Sequence, residues 1–130
     1  MNNAVVLSIG SNSADRDAQM TNCRAWLRDN ATLTKLSSVY NSPASNGKDP
    51  DYLNAVAEIA TALTHPELNN LLKDYERQCG RTPQSKSLGS IPIDIDIVMW
   101  NGNVLRPKDF AQSYFSRGWN EINGQTATDQ

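Results

Sequence analysis

The chain has 130 residues, of which 38% are hydrophobic and 20% charged, and a formal net charge of −2 at pH 7. That length supports one hydrophobic core and is short for two, and the slightly acidic balance argues against broad nucleic-acid binding, which needs a basic stripe to displace counterions. No apolar run approaches the roughly 20 residues of a membrane span, and the opening Met1-Asn2-Asn3 lacks the basic region of a signal peptide, so a cytoplasmic monomer is expected.

Along the chain, residues 4–9 read as a buried strand ended by the turn residues Gly10, Ser11 and Asn12. Residues 15–29 read as a helix with Met20, Cys23, Trp26 and Leu27 at helical spacing. Residues 33–40 form a second predicted strand, with Leu36 and Val39 as core contributors, and residues 41–51 a loop dense in Ser, Pro, Asn and Gly. A third strand is expected over residues 52–63, followed by Thr64-His65-Pro66-Glu67, a capping box with Thr64 as N-cap. The helix it opens has Leu68, Leu71, Leu72, Tyr75 and Cys79 on its apolar stripe, His65 exposed at its start, and Gly80 to end it. Residues 82–92 are a second polar loop. Cys23 and Cys79 lie on apolar helix stripes and read as reduced core residues rather than a disulfide or metal pair.

The last predicted strand carries the densest chemical signal. Ile93-Asp94-Ile95-Asp96-Ile97 alternates apolar and acidic residues, which sends the isoleucines to one face and both aspartates to the other. Residues two apart on a strand lie roughly 6.5–7 Å apart. Carboxylates so spaced repel each other without a cation between them, and they suit one or two Mg²⁺ ions that also hold phosphate oxygens. The plainer alternative is a half-buried strand whose polar face meets water. Asn101-Gly102 then signals a type I′ hairpin turn, with residues 103–105 as a short return strand. Periodicity fades from Arg106, and residues 124–130 are expected to be a disordered tail. The element order β-α-β-β-α-β predicts an α+β, ferredoxin-like domain over residues 1–123, one antiparallel sheet with both helices on one face.

With these elements in order, the chain resembles the 6-hydroxymethyl-7,8-dihydropterin pyrophosphokinases of folate biosynthesis. The residues that carry the resemblance are Ile9-Gly10-Ser11-Asn12, Tyr40-Asn41-Ser42-Pro43, Asp51-Tyr52-Leu53-Asn54, Glu76, Gly80-Arg81 and Asp94-Ile95-Asp96-Ile97. Each piece alone is weak, Gly-Ser-Asn most of all, and the ordered set is strong. The resemblance implies transfer of the β,γ-pyrophosphoryl group of ATP onto the hydroxymethyl oxygen of a dihydropterin, with release of AMP. It implies Asp94 and Asp96 as ligands of two Mg²⁺ ions, with Arg81 beside them in catalysis. Asn54 would hydrogen-bond the pterin edge, Tyr52 and Trp119 would stack on its ring, and Ser42, Pro43 and Ala44 would complete that pocket. Glu76, Arg81, Lys86 and Arg117 would lie near the nucleotide. Each has an ordinary alternative: Asn54 pinning a strand start, Tyr52 as an edge aromatic, Arg81 complementing a helix dipole, Glu76 on a solvated face, Trp119 in a core.

The chain also departs from the family pattern. The loop before the aspartate strand carries several arginines and a tryptophan in the family; here Lys86 is its one cation, Leu88 stands at the tryptophan's place and Ile91 replaces an arginine. The family's Pro-His-Tyr becomes Gln112-Ser113-Tyr114-Phe115, residues are missing around Arg117, and the C-terminal extension has no counterpart. Removing one preorganised charge-stabilising donor costs about 10²–10³ in rate. Three readings follow: a working shortened enzyme with Lys86, Arg106 or Lys108 supplying charge; a non-catalytic relative that binds a pterin or nucleotide; or a ferredoxin-like protein serving another phosphorylated ligand. The first is the expectation adopted.

Overall fold

A computed structural model of the protein describes residues 2–124. Of the tail expected to be disordered, Gly124 caps the last helix and the rest lies outside the described residues. The elements in chain order are β1 (Asn3–Ser11), α1 (Arg16–Asn30), β2 (Thr32–Leu36), β3 (Tyr40–Ser42), β4 (Tyr52–Thr61), α2 (His65–Gln78), β5 (Asp94–Trp100), β6 (Asn103–Val104), α3 (Pro107–Phe110) and α4 (Ser113–Asn123). They build one antiparallel sheet in the order β2-β4-β1-β5-β6, with β3 also paired to β4.

The alternation in β1, β4 and β5 sends Val5, Leu7 and Ile9, Ala55, Ala57 and Ile59, and Ile93, Ile95 and Ile97 to one face, where they form a core with Met20, Cys23, Leu27, Leu68, Leu72 and Tyr75 of α1 and α2. Trp26 and Tyr75 stack with ring centroids 4.4 Å apart and lock the two helices together. The α2 start is the expected capping box: the Thr64 hydroxyl accepts from Glu67 N and the Glu67 carboxylate accepts from Thr64 N. Leu71 and Cys79 are half-buried rather than enclosed, and both cysteines are free. His65 is exposed as expected, edge-on to Trp100. Asn101 (φ 48°) and Gly102 (φ 84°) adopt the left-handed conformations of the expected hairpin turn.

Two expectations fail. The predicted strand 33–40 is two strands, because the Ser37 hydroxyl accepts from Val56 N at 2.9 Å while Ser37 N donates to Val56 O, which interrupts the ladder. The carboxylate of Glu121 then holds Ser38 through its N–H and hydroxyl. Pairing with β4 resumes at Tyr40, which is buried, and Val39 is 51% exposed rather than in the core. The stretch after Arg106 is also not patternless. Phe115, Gly118, Trp119 and Ile122 of α4, at i, i+3, i+4 and i+7, cover the second sheet face over Val6, Val56, Val98 and Met99. Close approach requires glycine at 118: a Cβ there would lie 2.6 Å from Val56 Cγ2 and 2.7 Å from Tyr40 Oη. Instead Gly118 N donates to Tyr40 Oη at 3.0 Å, and the same hydroxyl donates to Tyr114 O at 2.7 Å.

Candidate active site

α4 covers only half of that second face. Moving along the strands, each changes from apolar to polar at the same level: Val6 to Ser8 and Gly10 on β1, Val56 to Asn54 and Tyr52 on β4, Val98 to Asp96 and Asp94 on β5. The register aligns them, with Gly10 opposite both Asn54 and Asp94 and Ser8 opposite Asp96. The uncovered half is the floor of a cavity of about 350 Å³. Its walls come from Ser42, Pro43 and Ser45 on one side, Lys86 on another, and Arg106, Asp109 and Tyr114 on a third.

One side of the cavity is built on β3 and β4. Asn54 is 5% exposed, and its Nδ2 donates to Ser42 Oγ at 2.7 Å and Tyr40 O at 3.4 Å. That leaves Oδ1, which lies 3.4 Å from where a Cβ on Gly10 would be, as an acceptor on the cavity wall. Burial, and then the Asp94 charge, raise the Tyr52 phenol above its usual range, so it stays neutral.

The acidic side is held from behind. β5 pairs with β1 on one edge, and its other edge is unpaired over Ile93 and Ile95 apart from side chains of and just beyond α2. Glu76 Oε2 accepts from Ile95 N at 2.8 Å, Lys73 Nζ donates to Ile95 O at 2.9 Å, and Arg81 Nη1 donates to Ile93 O at 3.2 Å. These groups also pair with one another: Lys73 with Glu76 at 2.9 Å and Arg81 with Glu76 at 3.3 Å. From this frame Arg81 reaches Asp94 at 2.8 Å and Lys73 reaches Asp96 at 3.5 Å. Burial, then the charge of Asp94, push the Asp96 carboxyl up to about 6, against the pull of Lys73 and Arg106. The two half-buried carboxylates are thus close enough to oppose each other's ionisation even with Arg81 and Lys73 paired to them.

The donor set fits Mg²⁺. Both ligands are hard oxygens, and among the described residues no three His, Cys, Asp or Glu side chains converge to hold a metal. Asp94 and Asp96 would supply two carboxylates to such an ion, with water and phosphate oxygens in the remaining positions, as is usual for Mg²⁺ in phosphoryl-transfer sites.

A family model described as 7,8-dihydro-6-hydroxymethylpterin-pyrophosphokinase (HPPK) matches residues 6–124. The chain belongs to that family. It is 35% identical over 104 residues to the 2-amino-4-hydroxy-6-hydroxymethyldihydropteridine pyrophosphokinase of Bacillus subtilis, covering 78% of this chain and 62% of that protein. The enzyme of the same name from Aquifex aeolicus is 33% identical over 105 residues (80% and 65%), and that of Helicobacter pylori 31% over 114 residues (84% and 69%). The matched stretch is thus less than two thirds of the length of the Bacillus and Aquifex relatives.

Within this HPPK chain, Ser42, Pro43, Tyr52, Asn54, Lys86, Asp94 and Asp96 all line one cavity, Ala44 is buried next to it in sequence, and Arg81 stands behind Asp94. Like Ala44 and Arg81, three further expected ligand contacts lie outside the lining. Glu76 is 3% exposed, its carboxylate consumed by the β5 edge and two cations. Arg117 sits over the Tyr40 ring, 4.9 Å from its centroid. Trp119 is half-buried and packs with Phe110 and Phe115 against the core beneath α4, on the sheet's apolar half. Sequence reasoning missed Lys73, whose i, i+3 spacing to Glu76 was its one signal, and Asp109 and Tyr114. Asp109 accepts from Arg106 Nε through Oδ2 and from the Tyr114 hydroxyl through Oδ1, which fixes both on the cavity wall.

Among the described residues, no helix is long and apolar enough to cross a membrane.

Proposed function

We propose that this HPPK-family chain transfers the β,γ-pyrophosphoryl group of ATP to the hydroxymethyl oxygen of 6-hydroxymethyl-7,8-dihydropterin, acting as a cytoplasmic monomer. The observation that carries the reading is the division of one cavity into a ring-sized polar-aromatic side (Tyr52, Asn54, Ser42) and an acidic side (Asp94, Asp96) across the small residues Gly10 and Ser8. In this reading Tyr52 stacks on the pterin, Asn54 Oδ1 accepts from a ring N–H, and the Ser42-Pro43-Ala44 segment closes the ring pocket. Asp94 and Asp96 would hold two Mg²⁺ ions, which when bound would supply neutralisation of the triphosphate charge.

The hydroxymethyl oxygen attacks Pβ and a new O–Pβ bond forms. The bond from Pβ to the α,β-bridging oxygen breaks, AMP leaves with that oxygen and its electron pair, and the hydroxyl proton passes to water. Little covalent work falls to the protein, so positioning and charge carry the rate. Arg81 and the Glu76–Lys73 frame hold the aspartates in place. Of the three cations considered as substitutes for the family's arginines, Lys86 and Arg106 line the cavity; they take the triphosphate in this reading. The Asp109 hydrogen bond keeps the Arg106 guanidinium aimed and charged.

A second reading, a pterin-binding relative without turnover, is favoured by the scarcity of cations on the wall 82–92, where Lys86 stands alone. Measuring AMP from ATP, Mg²⁺ and the dihydropterin separates the two. Pterin-dependent AMP that disappears in Asp94→Ala/Asp96→Ala protein supports the kinase. Folded wild-type protein that binds pterin yet makes no AMP above that variant leaves the binding role.

A further inference from the structure

We propose that Lys73 is a specificity-determining residue for the metal: it occupies one oxygen of Asp96, restricts that carboxylate to a single-oxygen contact, and so favours Mg²⁺ over Ca²⁺. An ammonium has three N–H donors. Lys73 Nζ donates to Glu76 Oε2 at 2.9 Å and to Ile95 O at 2.9 Å, and pairs with Asp96 Oδ1 at 3.5 Å. The first two partners fix it in place, since Ile95 O belongs to the strand and the buried Glu76 carboxylate accepts from Ile95 N. The ammonium is thus anchored to the main chain one residue before Asp96, and its pairing with Oδ1 follows from that anchorage. Both side chains are partly buried, so salt screens the pair less than it would on the surface.

Arg81 repeats the arrangement at Asp94, where Nη1 donates to Oδ1 at 2.8 Å and to Ile93 O at 3.2 Å. Each aspartate therefore has its Oδ1 on a cation that is anchored to the carbonyl of the residue before it. No N–H or O–H of the described residues reaches either Oδ2. Mg²⁺ takes near-octahedral coordination at about 2.0–2.1 Å and is held by one or two carboxylates, with water and phosphate completing the shell. Ca²⁺ takes about six to eight oxygens at about 2.3–2.6 Å, and carboxylates that give both oxygens help to reach that number. One free oxygen on each of two aspartates suits the smaller ion. Among the described residues no third His, Cys, Asp or Glu joins them to supply what the larger ion needs. The inference rests on the metal reading of Asp94 and Asp96 in the function proposed above, and not on turnover.

The test follows the backbone amide shifts of residues 94–97 by NMR while MgCl₂ or CaCl₂ is added to the full chain, without nucleotide or pterin. The wild type is expected to bind Mg²⁺ about ten-fold more tightly than Ca²⁺. Lys73→Met keeps the length of a partly exposed side chain and removes its charge and its donors. The lost charge raises the affinity for both ions alike, because they carry the same charge, so the ratio of the two affinities isolates the number of oxygens offered. That ratio should move about ten-fold toward Ca²⁺ in Lys73→Met. Lys73→Gln loses the same charge and keeps an N–H donor, so it should tighten both ions and hold the ratio within about two-fold of wild type. A wild type that binds Ca²⁺ as tightly as Mg²⁺ overturns the proposal without any variant. So does an unchanged ratio in Lys73→Met, which would make Lys73 a counter-charge only, or an equal shift in Lys73→Gln, which would make charge and not the occupied oxygen the cause. A wild type whose amides respond to neither ion overturns the metal reading and this inference together. Metal binding without AMP formation from ATP and the dihydropterin overturns the kinase reading and leaves the inference standing.

Discussion

The two faces of the sheet are built by the same three strands and behave differently. On the α1–α2 face the inward residues are apolar from end to end, and two helices of 15 and 14 residues cover them. On the other face the apolar run stops half-way, and the shorter α4 stops with it. What lies beyond is a floor of Gly10, Ser8, Asn54, Asp94 and Asp96 that no element covers. A continuous apolar face contributes stability in proportion to the area it removes from water. A face that turns polar mid-strand gives up part of that burial, and here it keeps the half-buried Asp96 carboxylate in a site that disfavours its charge.

That contrast can be broken at Asp96. Asp96→Asn is expected to lower AMP formation by about 10³-fold and yet to stabilise the metal-free fold at alkaline pH. The sign follows from the raised carboxyl: the folded protein holds this proton more tightly than the unfolded chain, so the wild-type residue favours the fold below the unfolded value near 4 and loses that contribution as pH rises through about 6. Thermal melts in EDTA should show the variant about 3 °C or more above wild type at pH 8, with the gap closing below about pH 4. A loss of stability at pH 8 would mean that Asp96 is a structural anchor like the residues of the opposite face.

The frame behind the aspartates should be costlier to remove. Glu76→Ala takes the partner from Ile95 N, Lys73 and Arg81 together. A loss of about 3 kcal/mol in urea unfolding is expected, discounted from a fully buried network because both cations are partly exposed. On the covered half of the site face, Gly118→Ala forces a methyl against Val56 and Tyr40 and should cost about 2 kcal/mol. Gly124→Ala, with nothing within 4 Å, is its control and should change little. On the fully covered face the smallest effect is expected from Thr64→Ala, which removes the α2 cap for about 1 kcal/mol and leaves AMP formation unchanged. An activity loss there would show that the helix face and the site are not separable.

Most of the core of the α1–α2 face was readable, because period-2 and period-3.6 patterns report a face directly, while the depth to which Leu71 and Cys79 are buried was not. The same alternation placed Asp94 and Asp96 opposite the isoleucines. Helix α4 was readable too, from the helical spacing of Phe115, Trp119 and Ile122, in a stretch where periodicity had been expected to fade. The split at Ser37 was not readable, since it depends on a hydroxyl meeting Val56 from a distant strand.

By itself, then, the order of apolar, acidic and turn residues determined the ferredoxin-like sheet, the capped α2 and the shared face of the two aspartates. Those features rest on short-range periodicity and local hydrogen bonding. Only the tertiary structure decided that Glu76 braces a strand edge, that Trp119 meets Phe110 and Phe115, that Arg106 and Tyr114 are fixed by Asp109 on the cavity wall, and that Asn12 bonds to two distant loops. Each of those roles depends on side chains brought together from separate stretches of chain or turned to one side by a helix's packing, and no local pattern encodes which partner a buried polar group will meet.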